Sequence, residues 1–251
     1  MQSCRLIVEP APTEGAWNMA VDEALLQQAV DQGVCTVRWY RWSQATLSLG
    51  YFQDARAAQA EPRLQGVPVV RRLTGGGAIL HHHELTYSCT VPADHPLVRD
   101  PHEIYVAVHE RIIEVLAAFG YAARLRGTKR LAGPQGEAFL CFGRGDECDV
   151  VMGPQKVLGS AQRRRRGAVL QHGSLVLRPS EFAPDFAGIF ALAGHSVDAG
   201  ELERKLAAAV GQVFAGRVEE GELDPSVREV AKRLHEQRYS RSEWNERSAV
   251  R

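Results

Sequence analysis

No stretch of this chain stays apolar over the roughly 20 residues that a membrane helix needs, and Met1-Gln2-Ser3-Cys4-Arg5-Leu6 opens no sustained hydrophobic run. A cytoplasmic protein without a membrane partner is therefore expected. Excess charge is missing too: 30 Lys and Arg balance 30 Asp and Glu. A protein built around nucleic acid usually carries a strongly basic domain, so nucleic acid is excluded as the main partner. Cysteine is scarce. Five thiols at 4, 35, 89, 141 and 148 make an odd set without Cys-x-x-Cys spacing, which excludes a full disulfide framework and a compact thiolate zinc site. Repeats and low-complexity linkers are also missing, and 251 residues that are 45% hydrophobic suffice for one well-buried core.

The patterning predicts an α+β fold. Trp17, Val21, Ala24, Leu25 and Gln28 recur at helical spacing over 14–32, with Gly33 as a stop. Short β-branched or aromatic segments follow at 35–42, 45–50, 67–72, 78–80 and 85–91. Asp100-Pro101-His102-Glu103 pairs an N-cap with proline at the first helical position, opening a helix to Phe119 whose buried face is Ile104, Val108, Ile112, Val115 and Phe119. Residues 127–136 read as an exposed excursion into a strand at 137–142. Strands are expected at 150–152, 156–162 and 168–177, with Arg163 to Gly167 as a turn. Leu202, Leu206, Ala209, Val213 and Phe214 mark one C-terminal helix and Asp224-Pro225 starts another. The expectation is a single domain over 1–251, a mixed, largely antiparallel sheet flanked by helices, with 181–251 as a helical C-terminal portion.

Chemistry concentrates in two blocks. Arg71-Arg72-Leu73-Thr74-Gly75-Gly76-Gly77-Ala78-Ile79-Leu80-His81 ends an apolar stretch with two cations and three glycines, so a backbone can approach a ligand closely beside positive charge. The second block holds Cys141-Phe142, Lys156-Val157-Leu158-Gly159-Ser160-Ala161-Gln162 and Gln171-His172-Gly173-Ser174. A lone cysteine is most often an inert core residue; Cys35 and Cys89 read that way. Cys148 stands among Asp146, Glu147 and Asp149, which raise a thiol pKa and make it a poor nucleophile. Consecutive strand residues point to alternate faces, so His81, His82 and His83 are not expected to share a metal ion. The run Arg163 to Arg166 reads equally as a solvated turn or as a docking patch for an acidic partner.

Together with Asn18-Met19-Ala20-Val21-Asp22-Glu23-Ala24-Leu25-Leu26, Arg38-Trp39-Tyr40-Arg41-Trp42 and Leu47-Ser48-Leu49-Gly50-Tyr51, these blocks resemble the biotin/lipoate protein ligase superfamily over roughly 14–180. Within it they are most similar to the cysteine-dependent octanoyltransferases of lipoate assembly. The resemblance implies a ligase-like catalytic fold and an acyl-thioester on Cys141, with Lys156 meeting the acyl carbonyl. It further implies an acyl site lined by Arg71, Arg72, Thr74, Gly75, Gly76, Gly77, His81, Gly159, Ser160, Ala161 and His172, the last a possible general base. The donor implied is octanoyl-acyl carrier protein. The acceptor is a lysine of an apo-lipoyl domain such as the glycine cleavage H protein. No metal or cofactor is called for, and a monomer is expected. Two alternatives stay open: an ATP-dependent lipoate ligase, favoured by Gly77 because the transferases carry arginine at that place, and a non-catalytic acyl-binding relative.

Overall fold

The computed structural model describes residues 3–128, 140 and 145–248. Its main sheet has eight strands: β1 (Ser3–Val8), β2 (Cys35–Tyr40), β6 (Glu84–Val91), β7 (Arg124–Leu125), β8 (Val150–Met152), β9 (Gln155–Arg165), β10 (Ala168–Val176) and β11 (Arg217–Glu220), in the order β11-β1-β2-β6-β10-β9-β8-β7. The β11-β1-β2 part is parallel and every later pairing antiparallel. A second sheet, β4-β3-β5, joins β3 (Thr46–Leu49) to β4 (Val69–Arg71) and β5 (Ile79–His81), and two short helices, α2 (Arg56–Gln59) and α4 (Ile189–Ala193), lie in connecting segments.

Period-2 alternation divides the sheet's faces. Cys35, Val37, Trp39, Leu85, Tyr87, Cys89 and Val91 pack on α3 (Pro101–Ala118) and α5 (Ala199–Phe214). The opposite face of β2, β6 and β10 is polar yet buried, because α1 (Gly15–Gln32) and α6 (Pro225–Leu234) close over that side. α1 is consequently buried on nearly every side rather than along one stripe, and Trp17 is only half-buried. Asp100 caps α3, accepting from His102 N at 2.9 Å. The buried ridge of α3 is Ile104, Val108, Ile112 and Leu116, so Leu116 rather than Val115 continues it. In α5 the inward positions are Leu202, Leu206, Ala207, Val210 and Phe214, displacing Ala209 and Val213.

Two expectations change. The C-terminal portion is not purely helical, since β11 pairs with β1 at the sheet edge; both strands are short and carry charges that hide their pattern. The segment Arg163 to Arg165 is strand, and the turn shrinks to Arg166 and Gly167, both left-handed (φ 49° and 85°) as a two-residue hairpin requires. The arginines therefore alternate faces instead of forming one patch. Arg165 bonds Glu23 on α1, Arg163 stands 5.0 Å over the Tyr51 ring on the same side, and Arg164 donates to Val98 O behind the sheet.

Candidate active site

Two rows of paired residues cross four strands on the α1 face: Arg38, Ser88, His172 and Ala161, then Tyr40, Thr86, Ser174 and Gly159. Asp22 of α1 lies against the first row. Its carboxylate accepts from Arg38 Nη1 (3.1 Å), Ser88 Oγ (2.8 Å), Tyr40 Oη (3.0 Å) and His172 Nδ1 (3.1 Å). Burial opposes that charge, but His172, Arg38 and Ser88 outweigh it and hold the pKa below the ordinary carboxylate value.

From Asp22 a directional chain reaches the glycine loop. Arg72 Nε donates to Thr74 Oγ1 (3.0 Å), leaving the Thr74 hydroxyl to donate to His172 Nε2 (2.6 Å) while His172 Nδ1–H faces Asp22. Both ring nitrogens of His172 are thus engaged, and burial, with Arg72 and His81 nearby, lowers its pKa despite Asp22. In this state His172 is a strut rather than a free base. Arg72 also donates to Ser48 O, Gly75 O and Gly77 O. A Cβ on Gly50 would lie 2.1 Å from Gly76 O, so these two glycines let the loop backbone close on β3.

Arg71 is fully buried and its side chain donates to the carbonyls of Gly50, Gln53, Trp244, Asn245 and Arg247. It fastens the glycine-loop strand to the C-terminal segment. His81 stacks on Trp42 at 3.8 Å and bonds Ser48 Oγ and Glu84 Oε1, so it braces the loop from below.

Lys156 reaches this face through an irregularity. Val150 pairs with Leu158 but Val151 pairs with Lys156, which leaves Val157 as one extra residue on β9. Val157 and Leu158 consequently both enter the core on the α3 side, and Lys156 shares the other face with Gly159. Its Nζ meets Asp149 Oδ1 at 2.8 Å, and both side chains are 5% exposed. The missing Cβ of Gly159 is what leaves room, since one built there would lie 2.4 Å from Lys156 Cε.

Ser160 faces the other way. Its hydroxyl lies 2.7 Å from His109 Nε2 and 2.7 Å from Tyr87 Oη, while His109 Nδ1 donates to Cys148 O. Burial pushes the His109 imidazole down to about 4, with Lys156 acting in the same direction. Gly159 and Ala161 thus lie on the site face, Ser160 behind it.

Cys141 lies outside the described residues. Leu140, which precedes it, bridges Ala78 at the exit of the glycine loop. Cys148 is buried with its thiol pushed up to about 11 by desolvation and by Asp146, Glu147 and Asp149. β5 ends at His81, which turns to Ser48 and Glu84, while His82 and His83 lie beyond the strand and come together beside Glu181.

Asp22, Asp149 and His109 were not singled out from sequence for the site. Asp149 hides in a run of acids that resembles a solvated turn, and His109 sits mid-helix without a motif. Asp22 had a signal, standing with Glu23 as a pair of acids between the apolar runs 19–21 and 24–26 of α1.

A family model described as the lipoyl protein ligase A/B catalytic domain matches residues 14–213. The chain belongs to that family. Octanoyltransferase LipM of Kyrpidia tusciae is 35% identical over 98% of this chain and 100% of that protein. Octanoyltransferase LipM of Carboxydothermus hydrogenoformans is 31% identical, covering 92% and 94% respectively. Among solved structures, the bi-partite lipoate protein ligase of Thermoplasma acidophilum, described with its E2 lipoyl domain, matches with a TM-score of 0.76 at 21% identity over 100% of both chains. That likeness establishes the α+β ligase-type fold.

Proposed function

We propose that this chain is the octanoyltransferase of a lipoate-assembly route, working through an acyl-cysteine. The observation that carries the reading is the delivery of Lys156 to the glycine-loop face, held against Asp149, in a chain whose relatives over nearly their full length are octanoyltransferases. Cys141 thiolate attacks the thioester carbonyl of octanoyl-acyl carrier protein. The tetrahedral oxyanion forms near the Lys156 ammonium and collapses with loss of the carrier thiolate, leaving octanoyl-Cys141. A deprotonated lysine ε-amine on an apo-lipoyl domain, such as the glycine cleavage H protein, then attacks this thioester. Cys141 thiolate leaves, the amine gives up its proton and an amide results. Arg71, Arg72, Thr74 and His81 act by fixing the loop's shape, while Gly75, Gly76, Gly77, Gly159 and Ala161 supply the close backbone surface.

Gly77 favours a second reading, an ATP-dependent ligase that activates a free acid. Intact-mass measurement after incubation with octanoyl-acyl carrier protein, and separately with octanoate plus ATP, distinguishes the two. An octanoyl adduct formed without ATP and absent from Cys141→Ala supports the transferase; a product only in the ATP arm refutes it.

A further inference from the structure

His82 and His83 follow the end of β5 in the turn to β6, and their rings stack with centroids 3.7 Å apart and planes 22° from parallel. The segment after β10 brings Ser180 and Glu181 against them. His82 Nδ1 lies 3.0 Å from Ser180 Oγ and 3.4 Å from Glu181 Oε2. One donor atom from each of His82, His83 and Glu181 falls within 4.8 Å of the other two.

In a tetrahedral site with metal–nitrogen and metal–oxygen bonds near 2.1 Å, neighbouring donors stand about 3.4 Å apart. The His82–Glu181 pair already has that separation, and Glu181 is 67% exposed along its side chain; the His83 donor lies within 4.8 Å of the other two, and metal binding requires its ring to turn out of the stack with His82, because each lone pair lies in its own ring plane. Two imidazoles and a carboxylate suit zinc-class ions, whereas magnesium and calcium prefer all-oxygen shells. Arg178, which lines the same cavity as His82 and His83, opposes an added positive charge, so the affinity stays below that of a closed structural site.

We propose that His82, His83 and Glu181 bind one divalent transition-metal ion of the zinc class, with water completing the shell. The ion ties the β5–β6 turn to the segment that follows β10. Between them lies a cavity of about 30 Å³ whose lining includes Leu80, Val176 and Leu140, so the clasp forms beside the residue that leads into Cys141. It stands apart from the acyl chemistry and requires no change in it.

The test is titration of the full-length protein with Co²⁺, followed by displacement with Zn²⁺. One equivalent of Co²⁺ should produce visible ligand-field absorption without a thiolate-to-cobalt charge-transfer band, and Zn²⁺ should abolish it. His82→Gln and His83→Gln should each weaken binding by about tenfold or more, at least what the loss of an outer partner costs a metal site, and Glu181→Gln should weaken it measurably. Melting temperatures without metal should match the wild type, which separates lost ligands from lost fold. A thiolate band, no saturable absorption, or wild-type affinity in the double histidine variant would each overturn the assignment.

Discussion

Replacing Gly159 by alanine separates the position of Lys156 from its presence. The backbone at 159 lies outside the left-handed region, so alanine is tolerated there, and the new Cβ would stand 2.4 Å from Lys156 Cε, 2.6 Å from Nζ and 3.3 Å from Asp149 Oδ1. Ordinary contact begins at 3.4 Å; the lysine must retreat by about 1 Å, a displacement that near a reacting centre costs on the order of 10²-fold in rate. The clash is with the far end of a flexible chain. Stability should therefore change by no more than about 1 kcal/mol, the usual size of a permitted glycine-to-alanine effect. Rapid-quench single-turnover acylation by octanoyl-acyl carrier protein, paired with thermal melts, measures both quantities. Gly159→Ala should fall to about the level of Lys156→Ala, itself expected 10² to 10³-fold below wild type by loss of one oxyanion donor. Wild-type acylation with an unchanged melting temperature would refute the claim that Lys156 acts from this place.

Cys141→Ser should abolish turnover, whereas Cys148→Ser should keep most of it, because the Cys148 thiol, pushed up to about 11, is not a thiolate at neutral pH; intact mass after acylation reads the difference. His109 takes a proton below about 4 when folded but below about 6.5 when unfolded. Across that window the unfolded chain holds more protons, so stability is full above pH 6.5 and falls as the pH drops toward 4, by about 3 kcal/mol from this residue. Urea melts at the two ends of the window should show a shallower acid loss in His109→Gln; an identical slope would remove His109 as a cause. Arg164 and Arg166 are exposed at the hairpin, and replacing both with Ser should raise the Michaelis constant for octanoyl-acyl carrier protein at low salt but not for octanoyl-coenzyme A. Equal effects on both donors would argue against docking there.

What the sequence made legible follows from the range over which each signal acts. The helices at 15–32 and 101–118 and the strands around the glycine loop carry local periodicity and local caps, and they stand close to where pattern places them. The edge strand β11 owes its existence to pairing with β1, 214 positions away, Ser3 with Arg217, which no window of sequence contains. Arg71 and Arg72 looked like cations waiting for an anion. Burial instead commits them to backbone carbonyls, a role invisible until Trp244, Asn245 and Arg247 are brought alongside. Lys156 was found by its motif, but its orientation depends on Val157 as an extra residue, and strict alternation from Leu158 would have sent it into the α3 core.

The Arg71 clasp also sets a timetable. The loop strand is bound through Asn245 Oδ1 and three carbonyls of 244–247, partners 174 positions downstream. At about 5–20 residues per second of synthesis, the ribosome adds that stretch in roughly 9–35 s. Through this interval β4 has its partner β3 and the upstream carbonyls of Gly50 and Gln53 but lacks its C-terminal anchor. The central strands can pair meanwhile, yet the glycine-loop surface cannot take its final form, so a nascent chain has a sheet well before it has the surface proposed for the acyl group.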